Sequence, residues 1–460
     1  MSDATATVPA VDARALYSKI SWRLIPYIFL LYILAYLDRV NVGFAALEMR
    51  RDLMLSATVY GTGAGIFFLG QGLFDLPSNL FLGKVGPRLW IARIMITWGI
   101  IATCMSLVKG AHSFYALRFL LGVSEAGFFP GMILYLTYWF PSEERARAVA
   151  KFMTATSLAG VIGAPISSFL LKLEGKGGLH GWQWLFIVEG IPTILGGISV
   201  LFLLRDHPKD APWLSEDEKS FLEAELERDR QEGGASERHN LADAFKMPMV
   251  WVLAGIFLLD QVGIYTVNFW MPLVLSSILH PAAAAAKALT EGASDGLIVR
   301  LSTLPYLAAA IVTVIVGWSS DRLRERRFHM IACMLVSAVG FAWAALAHSL
   351  VIGLVAFTLA AIGFFSLMGP FWALPTRVLG GQAAAGGVAI ITMVGSLGSF
   401  AGPAVTGRLR DVTHGFAAGL YAVAGVALLA AILCLFLPAK KETEAKTAEN
   451  SDRLRPPAAA

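Results

Sequence analysis

Apolar residues along this chain are gathered into blocks of about 20, separated by short polar turns that carry glycine, proline or charge. At 1.5 Å per helical residue, a block of about that length crosses roughly 30 Å of hydrocarbon. Twelve such blocks predict membrane-spanning helices over residues 22–46, 57–82, 90–108, 112–139, 148–172, 183–204, 249–279, 300–319, 329–347, 350–376, 385–408 and 416–437. The most charged interval, residues 205–247, divides them six and six. Inside it Ser215 and Glu218 have the spacing of a capping box, so the acidic and basic run to Arg230 predicts a surface helix in water. The expected organisation is a tail (1–21), a six-helix bundle (22–204), a linker with its helix (205–247), a second six-helix bundle (248–438) and a second tail (439–460). The fold class is all-α integral membrane, with 12 transmembrane helices in two six-helix bundles.

Composition agrees with this pattern. Residues are 56% hydrophobic and only 15% charged, which excludes an ordinary soluble domain and a disordered chain. The net charge of +4 is small and no basic block suggests nucleic acid. Its distribution is more informative. With the N-terminus in the cytoplasm, the inside segments hold Arg14, Lys19, Arg23, Lys84, Arg88, Arg93, Arg145 and Arg147. They also hold the linker's basic residues, Arg322 to Arg327 and the basic tail. The outer loops keep few, among them Arg50, Arg51, Lys109 and Lys176. The positive-inside rule then places both termini in the cytoplasm and the loop 280–299 outside. The polar start has no apolar core and cleavage site, so no signal peptide is expected. Cys104, Cys333 and Cys434 sit singly in apolar runs, and the eight histidines have no ligand spacing, so no metal is expected. No Walker string is present either, so neither a cofactor nor ATP is called for and energy must come from a gradient.

Charges inside the spans change the picture most. Asp38 and Arg39 lie in the first, Arg118 and Glu125 in the fourth. Each costs about 2.5–3.5 kcal/mol at membrane depth unless it faces a partner or water. Counting along oppositely directed helices puts Asp38 roughly 21–24 Å from the inner face and Arg118 roughly 6–9 Å from the outer one, at a common depth. Glu125, two turns on, returns to the face of Arg118, so the four groups are expected to face one another across a central cavity. An arginine keeps its proton and offers a planar fork that fits a carboxylate, which makes Arg39 or Arg118 the natural anion binder. Burial favours a neutral carboxyl and a nearby arginine a charged one, and these opposing pulls suit Asp38 and Glu125 to proton uptake and release. The competing reading is a fixed ion-pair network that holds the two spans together.

Elsewhere the polar positions are uncharged or peripheral. Tyr36, Asn41 and Gln71 in the first half, and Tyr265, Asn268, Trp372 and Ser396 in the second, can line a pocket that selects substrate by shape and hydrogen bonds. Asp260 is the second half's one acid at depth. Asp75 and Glu189 fall near span ends and are expected to act as gate or helix-end partners. The turns Gly83–Arg88 and Gly317–Arg324 occupy matching places in the two halves and suggest an internal duplication.

The string Tyr36-Leu37-Asp38-Arg39-Val40-Asn41-Val42-Gly43-Phe44-Ala45, with Leu76-Pro77-Ser78-Asn79 and the run Arg118 to Gly131, resembles the major facilitator superfamily. Within it the chain looks like the anion:cation symporters of organic anions, and Trp139-Phe140-Pro141 with Glu144 to Ala148 matches too. The resemblance implies alternating access by a monomer in the bacterial inner membrane, with no enzymatic activity. It implies uptake of a small organic anion together with protons, Asp38 and Glu125 carrying the protons and the arginines binding the anion. Arg39, in the most specific string, is favoured as the direct ligand. Tartrate-like, sugar-acid or aromatic carboxylates are the expected substrates, and an exporter or uncoupled facilitator is the alternative. One departure is plain: the turn after the second span lacks the aspartate of the family's Asp-Arg pair, whereas the second copy keeps Asp321-Arg322.

Overall fold

The computed structural model describes residues 11–234, 245–279, 293–375 and 381–437. Its helices are α1 (Ala13–Asp52), α2 (Ala57–Val85), α3 (Pro87–Cys104), α4 (Ala111–Glu125), α5 (Phe128–Thr137), α6 (Ser142–Leu171), α7 (Gly181–Leu203) and α8 (Glu216–Gly234). They continue as α9 (Pro248–Leu279), α10 (Ala293–Leu301), α11 (Thr303–Leu323), α12 (Arg327–Ala345), α13 (Leu350–Trp372), α14 (Gly381–Thr413) and α15 (Ala417–Cys434). Among the described residues, ten helical stretches are long and apolar enough to cross a membrane. Helices α2 and α6 stand where the second and fifth spans are predicted.

Three predicted elements differ from their expectation. Helix α1 begins nine residues early, because the Asp12 carboxylate caps it by accepting from the backbone N–H groups of Arg14 and Ala15 while Leu16 and Ile20 are buried. The fourth span is broken after Glu125: Gly127 has φ +84°, and a Cβ there would come 2.2 Å from Ser78 Oγ. The predicted loop 280–299 contains α10 from Ala293 onward, while its earlier part lies outside the described residues, as do Ser236 and the tail from 438.

Helices α1 to α8 and α10 form one compact unit, and α9 with α11 to α15 form a second. In the first, α1 packs on α6 and α7, α2 on α4, and α3 on α7. In the second, α9 packs on α14, α12 on α15 and α12 on α13. The α1–α6 and α9–α14 pairs are counterparts in the two halves, as are α3–α7 and α12–α15, which is the pairing a duplication requires. Lipid supplies no hydrophobic drive between such helices, so close backbone approach matters most. A Cβ on Gly122 would lie 1.9 Å from the Phe67 carbonyl oxygen, and one on Gly398 2.1 Å from that of Leu258.

Helix α8 opens with the predicted capping box: Ser215 Oγ accepts from Glu218 N–H at 3.2 Å and Glu218 Oε2 from Ser215 N–H at 2.8 Å. It is docked on the first unit. Lys19 pairs with Glu218 at 2.7 Å, Ser142 donates twice to Asp229, and Arg23 lies over Trp213. The turn without its family aspartate is repaired from outside. Asp206, just past α7, accepts from Arg88 N–H at 2.9 Å and lies 3.7 Å from its Nε. In the second unit Asp321 instead pairs with Arg326 of its own turn.

Gly122→Val should prevent α2 and α4 from closing. An unfolding free energy lower by about 1–3 kcal/mol or more is expected, read as a drop in melting temperature in detergent. At the opposite ends of α1 and α7, His180 lies 2.9 Å from Glu174 and 3.2 Å from Asp52, and these carboxylates, Glu174 first, raise its pKa above the usual 6.5. The sign follows: the charged contact is complete below the unfolded value and is lost as pH rises through the folded one. An NMR titration of His180 should therefore have its midpoint above 6.5, and a Glu174→Gln variant should move that midpoint down.

Candidate functional site

The first unit gathers most of the polar positions singled out from sequence. Arg39 and Glu125, 86 residues apart, form a direct ion pair between α1 and the last turn of α4. Glu125 is 1% exposed and the Arg39 side chain 15%. The break after Glu125 ends α4 at this point, and Asp75 of α2 steadies it by accepting from Gly127 N–H at 2.8 Å. Asp75 is thus a helix-end partner, as expected, at the break between α4 and α5.

Arg118 is fully buried and turned to the α2 backbone. It donates to the carbonyl oxygens of Gly63 at 3.3 Å and Ala64 at 2.8 Å. Its guanidinium lies 4.8 Å from the Phe67 ring centroid and that of Arg39 lies 5.8 Å from it, so one aromatic ring is shared by two cations. Phe67 carries no polar atom, and nothing in the sequence pattern marks it. The two arginines are therefore not equivalent: Arg39 sits on a carboxylate that a substrate carboxylate could replace, whereas Arg118 is tied to main chain.

Asp38 turns toward α7, where Thr193 Oγ1 donates to its Oδ2 at 2.8 Å. Glu189, one turn before Thr193, is buried well inside α7, which corrects the reading of it as a helix-end partner. Its Oε1 accepts from Ser167 of α6 at 3.3 Å, and Asn41 is buried on α1. Thr193 and Ser167 were not singled out from sequence. The i, i+4 spacing of Glu189 and Thr193 on one helix face was the signal available. Tyr36 is buried on the same stretch of α1, and Gln71 is half-buried on α2.

The second unit offers aromatic and amide groups. Asn268 is buried and accepts from the Tyr306 hydroxyl at 2.9 Å. Tyr265 packs on Phe269, and Trp372 meets Phe257 and Phe371 with centroids 5.2 Å apart in each case. Ser396 donates to Thr392 O of its own helix at 3.1 Å. Asp260 is fully buried, and neither of its oxygens has a hydrogen-bond partner among the described residues. Among the described residues no group of three or more His, Cys, Asp and Glu could hold a metal ion.

A model of the Major Facilitator Superfamily matches residues 28–403 and, in a second overlapping match, 275–459. The chain belongs to that superfamily. This major facilitator protein is a multi-pass membrane transporter and not an enzyme. It is 44% identical over 440 residues to a protein of Agrobacterium vitis named "Putative tartrate transporter", covering 95% of each chain. It is 38% identical to the "Quinolone resistance transporter" of Acinetobacter baumannii, over 92% of this chain and 95% of that one. With the "Inner membrane transport protein RhmT" of Escherichia coli it shares 34% identity, over 92% and 95%. The fold matches a bacterial homologue of the lysosomal transporter Spinster with a TM-score of 0.70 at 19% identity, over 91% of this chain and 96% of that one. The xylose transporter XylE of Escherichia coli gives a TM-score of 0.70 at 15%, over 91% and 98%.

The Arg39–Glu125 pair makes a testable stability statement about this superfamily member. Removing one partner of a buried pair strands the other charge, at a cost of about 3–5 kcal/mol. Arg39→Met should lower the melting temperature markedly, and adding Glu125→Gln should recover most of the loss. Equal melting temperatures of the single and double variants would mean that the pair carries no such coupling.

Proposed function

We propose that this protein is a proton-coupled importer of a small organic anion, a carboxylate of the tartrate-like, sugar-acid or aromatic-acid class. One observation carries the reading: the cation best placed to take a carboxylate, Arg39, is held by a carboxylate, Glu125. A proton on Glu125 cancels its charge and frees the guanidinium fork for the substrate. A substrate on Arg39 in turn displaces Glu125 and favours its protonation. Proton and anion then bind in concert, because each removes the other's competitor. Asp38 on the neighbouring position is the second proton carrier. Tyr36, Asn41 and Gln71 in the first unit, with Tyr265, Asn268, Trp372 and Ser396 in the second, are the proposed determinants of substrate shape. Arg118 keeps α2 and α4 in place and adds positive potential.

The relative named for tartrate supports the substrate class, and the one named for quinolone resistance supports the second reading, an exporter in the same fold. The distribution of Lys and Arg supports both termini in the cytoplasm, in the bacterial inner membrane, and the protein is proposed to act as a monomer.

Uptake of labelled tartrate and of a panel of sugar acids and aromatic acids into proteoliposomes tests the proposal. Accumulation should require an inward proton gradient. It should disappear in Asp38→Asn and Glu125→Gln, while exchange of labelled for unlabelled substrate survives in at least one of them. Arg39→Lys keeps the charge and loses the fork, so affinity at fixed pH should fall by about tenfold or more, equivalent to one lost hydrogen bond to a charged group. Full gradient-driven accumulation in both carboxyl variants would leave only a structural role for the acids.

A further inference from the structure

The Arg39–Glu125 pairing leaves Asp38 to a different neighbour, α7, which carries a second buried acid. Glu189 and Thr193 stand one turn apart on α7, so their side chains share a face. The Thr193 hydroxyl donates to Asp38 Oδ2 at 2.8 Å and lies 3.3 Å from the Glu189 backbone oxygen. Asp38 and Asn41, also about one turn apart, share a face of α1, and both are buried. Ser167 of α6 closes the group by donating to Glu189 Oε1 at 3.3 Å. Asp38 is 1% exposed and Glu189 6%. Their remaining oxygens, Asp38 Oδ1 and Glu189 Oε2, have no hydrogen-bond partner among the described residues.

Among the described residues, the other groups that face the pair do not compensate two charges. From α4 comes Glu125, whose field reaches Asp38 and whose own charge is met by Arg39. From α6 comes a neutral hydroxyl, Ser167, and α3 meets this stretch of α7 through Thr103 and Gly99. Two ionised carboxyls here would repel each other in a site with little water, and each would leave one oxygen without a donor. A proton on either removes one charge and converts one of those bare oxygens into a donor aimed at its neighbourhood. Where two buried carboxyls oppose each other's ionisation, they titrate as a unit, in two steps that belong to the pair.

We propose that Asp38 and Glu189 form a single proton site, two carboxyls that hold one proton and one negative charge between them. The inference deepens the proton-symport reading and rests on it for its place in the transport cycle. Glu189 is thereby a proton-binding partner of Asp38 from α7. The proton that Asp38 is proposed to carry has a second carboxyl to reside on while Asp38 is engaged with Thr193.

Difference infrared spectroscopy of the full chain in lipid, titrated without substrate, reads protonated carboxyls directly through their C=O stretch. Loss of a band in Asp38→Asn or in Glu189→Gln assigns it. In Glu189→Gln the Asp38 band should titrate at least about one pH unit lower than in the unaltered protein, because the like charge that opposes its ionisation is gone. Asp38→Asn should move the Glu189 band in the same direction. A merely structural Glu189 would move neither band, and two bands that each titrate unchanged in the absence of the other overturn the proposal. Where one amide variant does not fold, judged by elution as a single species, the other gives the reciprocal measurement, and Glu189→Asp tests the same shift with the carboxyl withdrawn by one methylene. Tartrate uptake by the same preparations separates the two levels. Coupled titration with gradient-independent uptake would leave the shared proton site standing and remove its role in symport.

Discussion

A charge inside a bundle bathed in hydrocarbon is costly unless another group of the bundle, or water in a cavity, meets it. Arg39 and Glu125 meet this constraint with each other, and much of the first unit is arranged around them. The end of α4 at Glu125, the glycine turn that follows, and the Asp75 carboxylate that holds the turn all set where Glu125 stands. Phe67 supplies a common face for Arg39 and Arg118, which lets two cations lie near each other. With Glu125 paired to Arg39, Asp38 is turned to α7, the helix that carries Glu189.

Helix contacts around this polar centre are made by the smallest residues. Where lipid tails are as apolar as leucine, what distinguishes a correct helix pair is how near the backbones come. Gly122 against Phe67 and Gly398 against Leu258 are such places, one in each unit. The same logic accounts for the two related sets of pairings, α1 with α6 and α3 with α7, then α9 with α14 and α12 with α15. A bundle built this way is stiff within itself, since neither backbone has slack to give.

The layout of spans was legible in the sequence because block length and hydrophobicity are local properties. So was the box at Ser215 and Glu218, where three residues set the geometry. The four charges at depth also announced that a polar centre exists. Who pairs with whom was not legible. Counting residues placed Asp38, Arg39, Arg118 and Glu125 near one another, yet the assignment of Asp38 to Thr193 and of Arg118 to the Gly63 and Ala64 carbonyls depends on helix rotation. Glu189 was misread for a related reason. Its distance from the predicted span end was short, and only α7 starting at Gly181 and packing on α1 shows it to be interior. Gly127 was visible as a glycine, but its positive φ and the closeness of Ser78, which excludes any Cβ there, appear only in the folded chain.

The turn between α2 and α3 borrows its carboxylate from Asp206, 118 residues along the chain from Arg88. In a turn that carries its own aspartate, the anchor and the thing anchored move together by covalent connection. Here they are joined by a hydrogen bond to a residue at the head of the linker, between α7 and α8. The head of the linker is thereby a mechanical part of the first unit. An insertion of even one residue between Leu203 and Asp206 would draw the carboxylate away from Arg88 without altering any residue of the turn itself.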